Sequence, residues 1–358
     1  MREYLYRLVT DQINTPIAKI FKCLLWILSL IYGLAVRSIL IGYTWGLFKK
    51  QRLSKPVISV GNITLGGTGK TPLVELIAQY LKAQNIKPVI LTRGYILRKS
   101  IGKQASGHES DEARQLAESL KEIPIVVGAD RLMSGTKALE QYPVDVFLLD
   151  DGFQHWRLER DLDIVAIDAS RPFGNGHFLP RGILREPLSS LRRASLFVLT
   201  KTDLGPQNIE MIRARLSKIN PTAPVIETIH GPLDFVDLRT EQIRTLSYVQ
   251  RKLICPFCGI ADPVSFEQNL KNLGVHFRNN FVFMDHHVYQ RRDIQEMVKF
   301  CRANNIYTLV TTQKDSVKIK ASLQDIDKNI EVLSLRVKIW IVQGENEFFK
   351  RISGLLGR

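Results

Sequence analysis

Two short blocks of this chain carry residue types that do chemistry on phosphate. The first is Gly66-Gly67-Thr68-Gly69-Lys70-Thr71-Pro72, preceded by the apolar run Pro56-Val57-Ile58-Ser59-Val60. After it, Leu73, Ile77 and Leu81 recur at helical spacing and put one apolar face toward a core. Strand, glycine-rich turn, Lys-Thr and helix is the order of a phosphate-binding loop. The glycines let backbone N–H groups close around phosphate oxygens, Lys70 reaches the outer phosphates, and Thr71 offers a hydroxyl to Mg²⁺. The strict spacing GxxxxGK[ST] places a glycine at position 64, where this chain has Thr64.

The second block is Val144-Asp145-Val146-Phe147-Leu148-Leu149-Asp150-Asp151, an apolar strand ending in two carboxylates. Carboxylates at the C-terminal edge of a strand face the crevice in which open α/β sheets bind nucleotides. Two adjacent carboxylates repel each other, and a divalent cation relieves that repulsion. A competing motif is Thr200-Lys201-Thr202-Asp203, a TKxD sequence that reads guanine in many GTP-binding proteins with phosphate loops. It keeps a GTPase of the metallochaperone or targeting type as the alternative.

The elements that must position these residues follow from the alternation of pattern. Apolar strand-like runs recur at residues 88–91, 123–127, 144–149, 163–167 and 196–199, with helical stretches such as 111–120 between them. That alternation marks a doubly wound parallel sheet of the P-loop NTPase kind, covered on both faces. Residues 171–187, rich in Gly and Pro, form a loop long enough to be functional. The expected organisation is a phosphate-loop domain at 53–222, a linker at 223–251 and a smaller C-terminal α/β domain at 252–358. Cys255 and Cys258 form a CxxC without a second Cys/His pair at zinc spacing, so a buried strand-to-turn segment is expected there.

The N-terminal segment, residues 1–52, is different in kind. It carries eight basic residues against Glu3 and Asp11, and part of the overall excess of 50 Lys+Arg over 35 Asp+Glu, a net +15. Such a surplus suits an anionic partner, and without aromatic–basic interleaving nucleic acid is not expected. Residues 23–36 are fourteen uncharged residues in a row, and a second apolar stretch follows Arg37. Fourteen helical residues rise about 21 Å, short of a hydrocarbon core of about 30 Å. Trp26, Tyr32, Tyr43 and Trp45, with lysines at both ends, match a headgroup zone. The expectation is an anchor on an anionic membrane surface, with a single span and a buried core helix as the other readings.

With these residues on the page, the chain resembles the tetraacyldisaccharide 4′-kinase family, the lipid A kinases of Gram-negative bacteria. The resemblance rests on the phosphate loop with Val60-Gly61-Asn62-Ile63-Thr64 before it, and above all on Asp150-Asp151-Gly152-Phe153-Gln154-His155. Arg93-Gly94-Tyr95, Asp111-Glu112, Gly128-Ala129-Asp130-Arg131, Arg185-Glu186-Pro187, Asp285-His286-His287 and Thr311-Thr312-Gln313-Lys314-Asp315 extend it. It implies transfer of phosphate from ATP·Mg²⁺ to the 4′-hydroxyl of an acylated glucosamine disaccharide. With the N-terminal segment, the expected place is the cytoplasmic face of the bacterial inner membrane, peripheral or singly anchored, and no obligate protein partner is evident. By resemblance, Gly66, Gly67, Thr68, Gly69, Lys70, Thr71 and Arg131 contact the nucleotide. Thr71, Asp150, Gln154 and Glu186 are linked to the metal, and Asp151 and Lys70 act at the transferring phosphate. Asp111 with a histidine of the Asp-His-His triplet activates the acceptor hydroxyl, and His286 is favoured over His287. Ser110 stands before Asp111 where the family commonly has glycine.

Overall fold

A computed structural model describes residues 11, 13, 15–93, 116–117, 119–260, 262–285 and 287–357 of the chain. Asp111 and His286 therefore lie outside the described residues. The chain forms two units, one of residues 1–109, 119–229 and 340–358, the other of residues 110–118 and 230–339.

The first unit opens with helix α1 (Pro16–Thr44), which Thr15 caps by accepting from the Ala18 N–H. At 29 residues it is one continuous element, about 43 Å long. Arg37 lies inside this continuous helix, its guanidinium 5.4 Å from the centroid of the Phe178 ring. A narrow stripe including Ala18, Ser29, Gly33 and Val36 is buried. Ile17, Ile20, Ile31 and Leu34 are each at least 60% exposed, so α1 is not a core helix. Its length and composition are those of a membrane-crossing segment.

Strands β1 (Val57–Gly61), β2 (Pro88–Thr92), β3 (Ile125–Val127), β4 (Val146–Asp150), β5 (Leu162–Asp168), β6 (Leu196–Thr200) and the start of β7 (Val225–Asp237) form a parallel sheet. Their order is β7-β6-β5-β1-β4-β2-β3. Every residue of β1, β2, β4 and β6 is buried, which is why these strands read as unbroken apolar runs rather than alternations. Helix α2 (Lys70–Ala83) buries Leu73, Val74, Ile77, Ala78 and Leu81; α3 (Arg131–Gln141) and α4 (Ile209–Ile219) also belong to this unit. Strand β1 lies between β4 and β5, the place where the winding changes direction. Ligands bind beyond the carboxyl ends of the strands at such a switch point, and the phosphate loop leaves β1 there.

The second unit holds β9 (Ile254–Cys258), β10 (Phe281–Val282), β11 (Thr308–Thr312) and most of β12 (Glu331–Gln343), parallel in the order β10-β9-β11-β12. The two-residue β8 (Ile243–Arg244) pairs antiparallel with the end of β7. Helices α5 (Pro263–Asn272), α6 (Arg291–Ala303) and α7 (Gln313–Ile319) complete it. Cys255 and Cys258 are buried along β9, and no cluster of three metal-ligating side chains exists among the described residues.

Two boundaries differ from expectation. The stretch expected as a linker contains the thirteen-residue β7, whose central Gly231-Pro232 disguises it as a turn. Residues 340–358, including helix α8 (Glu345–Leu355), cluster with the first unit rather than the second. Tyr80 of α2 holds α8 there, stacking on Phe349 and sharing a 2.7 Å hydrogen bond with Ser353.

Two glycines allow the acidic block to close on β1. A Cβ on Gly61 would lie 2.5 Å from Phe153 Cβ and 2.6 Å from the Phe153 backbone nitrogen. A Cβ on Gly152 would meet Ser59 Oγ at 2.6 Å and Leu149 Cβ at 2.7 Å. Gly61→Ala should cost about 1–3 kcal/mol by overpacking against backbone. Chemical denaturation should show this loss, whereas Gly67→Ala, which opens onto empty space, should leave the midpoint unchanged.

Candidate active site

The phosphate loop turns through two left-handed glycines, Gly66 (φ +119°) and Gly69 (φ +78°), a backbone that side chains rarely adopt. Gly69 is the N-cap of α2 and gives no side-chain cap, so the first N–H groups of the helix face outward. Asn62 braces the loop from below, its Nδ2 donating 2.8 Å to Thr68 Oγ1. Thr200 Oγ1 donates 3.0 Å to the Thr68 carbonyl, and Lys201 Nζ donates 3.1 Å to that of Gly67. Lys201 also pairs with Asp168 at 2.7 Å. The first half of the TKxD sequence is thus a brace for the phosphate loop.

The acidic block sits beside this loop. Asp150 ends β4, is 5% exposed, and accepts from Thr92 Oγ1 at 3.3 Å. Asp151 adopts a left-handed backbone at φ +54°, an uncommon conformation for a residue with a Cβ. Its carboxylate lies 3.5 Å from Lys70 Nζ and accepts both oxygens' worth of hydrogen bonds from Arg185 Nη1, at 3.0 and 2.9 Å. Arg185 Nη1 also donates 3.2 Å to Gln154 Oε1, and Gln154 Nε2 donates to the Asn62 carbonyl at 2.8 Å and to Glu186 Oε1 at 3.2 Å.

Glu186 is fully buried and its oxygens are taken. Trp156 Nε1 donates 3.0 Å to Oε1, and Arg193 Nη2 donates 2.9 Å to Oε2. Glu186, expected to be linked to the metal, thus accepts from Gln154, Trp156 and Arg193. Arg131, 2% exposed, donates to the carbonyls of Gly128 and Asp150 at 2.5 and 3.4 Å. Thr71 is half-buried in the first turn of α2.

The electrostatics follow from this packing. Burial pushes the Asp151 carboxyl upward, but Lys70 and Arg185 outweigh it and hold the group below its ordinary value. Burial lowers Arg131, while Asp150 favours its charged form. His155 is lowered to about 4 by burial and then by Arg131, so its ring is neutral at pH 7.

The structure brings Lys70, Asp151, Gln154 and Glu186 into one bonded network and sets Asp150 and Arg131 next to each other. His287, the alternative to His286, bonds Asp293 at 2.9 Å and stacks on Phe283 at 4.5 Å. Arg185, Arg193 and Trp156 had no assigned role in the sequence. Only the Arg-Glu-Pro triplet marked the neighbourhood of Arg185.

A family model for tetraacyldisaccharide-1-P 4′-kinase (LpxK) matches residues 21–356. The chain belongs to this family. The tetraacyldisaccharide 4′-kinase of Halothermothrix orenii is 33% identical over 95% of this chain and 94% of its own length. That of Syntrophobacter fumaroxidans is 41% identical over 78% of this chain and 75% of its own. A crystal structure of an "apo" form of LpxK from Aquifex aeolicus in complex with ATP has a TM-score of 0.73 and 28% identity. It covers 94% of this chain and 99% of that one. The LpxK fold therefore extends over both units and α1.

The buried imidazole gives this LpxK-family chain a pH dependence. Above about pH 6.5, the ordinary value, His155 is neutral both folded and unfolded. Below it the unfolded chain takes up a proton that the folded chain refuses, and stability falls until about pH 4. Thermal midpoints should drop over this window more steeply in the parent than in His155→Asn.

Proposed function

We propose that the chain is an ATP-dependent kinase that phosphorylates the 4′-hydroxyl of a tetraacylated glucosamine disaccharide 1-phosphate, a step of lipid A synthesis. The observation that carries this reading is the convergence of Lys70 and Arg185 on Asp151 beside the phosphate loop, in a chain of the LpxK family. The Aquifex aeolicus relative is in complex with ATP, and the loop here suits the same ligand. Its helix N-terminus carries no side-chain cap, and Gly66 and Gly67 border open space.

When bound, ATP·Mg²⁺ supplies the γ-phosphoryl group and a divalent charge that offsets the charge developing on it. The chain's own residues bind and orient. The outward N–H groups at the start of α2 and Lys70 hold phosphate oxygens, and Arg131 adds charge. Thr71 and Asp150 would hold the metal. Gln154 and Glu186 act one layer back and keep Arg185 and the Asn62 carbonyl in place. A sugar hydroxyl is a poor nucleophile at neutral pH, and a positioned base helps it. By resemblance that base is the pair Asp111 and His286.

Helix α1 gives the enzyme a place beside an acylated acceptor. Its apolar flank enters the membrane and its basic residues meet anionic headgroups, on the cytoplasmic face where ATP is available. Guanine recognition has no support in the family, and Lys201 serves the loop instead.

Labelled ATP and the acylated disaccharide 1-phosphate should give labelled product, with GTP as the control donor. Lys70→Ala should lower the rate by about 10²–10³-fold or more, as loss of a charge-stabilising group does. Product from GTP and none from ATP would overturn the reading.

A further inference from the structure

The C-terminal end of α1 borders a cavity of about 260 Å³ that the reaction above does not use. Four cationic side chains line it: Lys50, Arg160, Arg192 and Arg193. Two are already neutralised, Arg160 by Asp163 and Arg193 by Glu186, each at 2.9 Å. Lys50 and Arg192 have no ion-pair partner among the described residues. Ser190 lines the same cavity, is 5% exposed, and its buried hydroxyl has no hydrogen-bond partner. A buried hydroxyl without a partner is costly, and two unpaired cations at the same opening call for an anion. The remaining wall is apolar at Leu40 and Tyr43 of α1, and Trp45, Leu47 and Phe48 stand exposed just beyond. An anionic head with an apolar tail matches both halves of this lining.

We propose that the cavity binds the phosphate of an anionic membrane phospholipid, whose acyl chains lie along the exposed flank of α1. Lys50 and Arg192 pair with the phosphodiester, and Ser190 donates its hydroxyl. A bilayer lipid is favoured over the acceptor's own phosphate by the path of bonds. From Lys70 this path runs through Asp151, Arg185, Gln154 and Glu186 before reaching Arg193 at the cavity wall. The phosphate loop and the cavity are thus at opposite ends of the network. The proposal rests on the reading of α1 as a membrane segment, and the test separates the two.

The full chain is bound to vesicles of phosphatidylcholine alone, and to vesicles doped with phosphatidylglycerol, at physiological salt. Native mass spectrometry counts the phosphatidylglycerol retained by each protein. Lys50→Gln/Arg192→Gln should bind neutral vesicles as the parent does. It should lose about tenfold of the gain from phosphatidylglycerol, together with the retained lipid. Lys49→Gln/Lys55→Gln removes the same charge outside the cavity lining and should keep the retained lipid. An undiminished gain in the cavity variant, or an equal loss in the control, overturns the proposal. So does an unchanged phosphatidylglycerol count with a raised KM for the disaccharide 1-phosphate in phospholipid-free micelles, which assigns the cavity to the acceptor. Failure of the parent to bind neutral vesicles would instead overturn the membrane reading of α1.

Discussion

The site depends on one carboxylate shared by two cations. Asp151 comes from a residue in left-handed backbone, which aims its side chain between Lys70 of the phosphate loop and Arg185 of the Gly/Pro-rich loop. At 3.5 Å and an effective dielectric near 20, Lys70 alone attracts it by about 4–5 kcal/mol before desolvation is counted. Together with Arg185, Lys70 outweighs the upward push of burial on the carboxyl. Remove the carboxylate and two positive charges face each other beside a loop built to receive phosphate. The pairing therefore fixes where Lys70 points before any nucleotide arrives.

The same arrangement ties helix α1 to the phosphate loop. Gly33 of α1 lets the Phe178 ring approach to within 2.7 Å of where a Cβ would be, and Tyr32 Oη donates 3.0 Å to the Arg185 carbonyl. The Arg185 N–H in turn donates 2.8 Å to the Ile63 carbonyl, and Leu65 N–H donates 2.8 Å to that of Ile183. One loop thus carries a helix contact on one side and an extended pairing with the phosphate loop on the other. Its side chain Arg185 completes the ion cluster. An enzyme for an acylated acceptor has reason to join these parts.

Much of this was legible in the sequence because it is written at short range. Strand, glycines, Lys70-Thr71 and the i, i+4, i+8 face of α2 fall within about thirty residues, and each strand buried on both faces shows as an apolar run. Asp150 and Asp151 stood out as charges ending such a run. The partners of these residues were not legible, because they come from elsewhere in the chain. Arg185 is 34 residues from Asp151, and Trp156 is 30 from Glu186. Nothing in local spacing shows that Glu186 is saturated by three donors. The partner of Arg37 was not legible either, since only the fold supplies the Phe178 ring beside it. Residues 225–237 looked like part of a linker, since Gly231-Pro232 interrupts the apolar pattern within β7.

The central claim is that Asp151 sets Lys70 for transfer rather than merely holding the loop together. Asp151→Asn keeps the shape and removes the charge, so single-turnover transfer and ATP affinity should be measured on the same preparation. A fall in the transfer rate of about 100-fold or more with ATP affinity within a few-fold of the parent is the predicted result. A parental transfer rate, or a loss confined to ATP affinity, would contradict it.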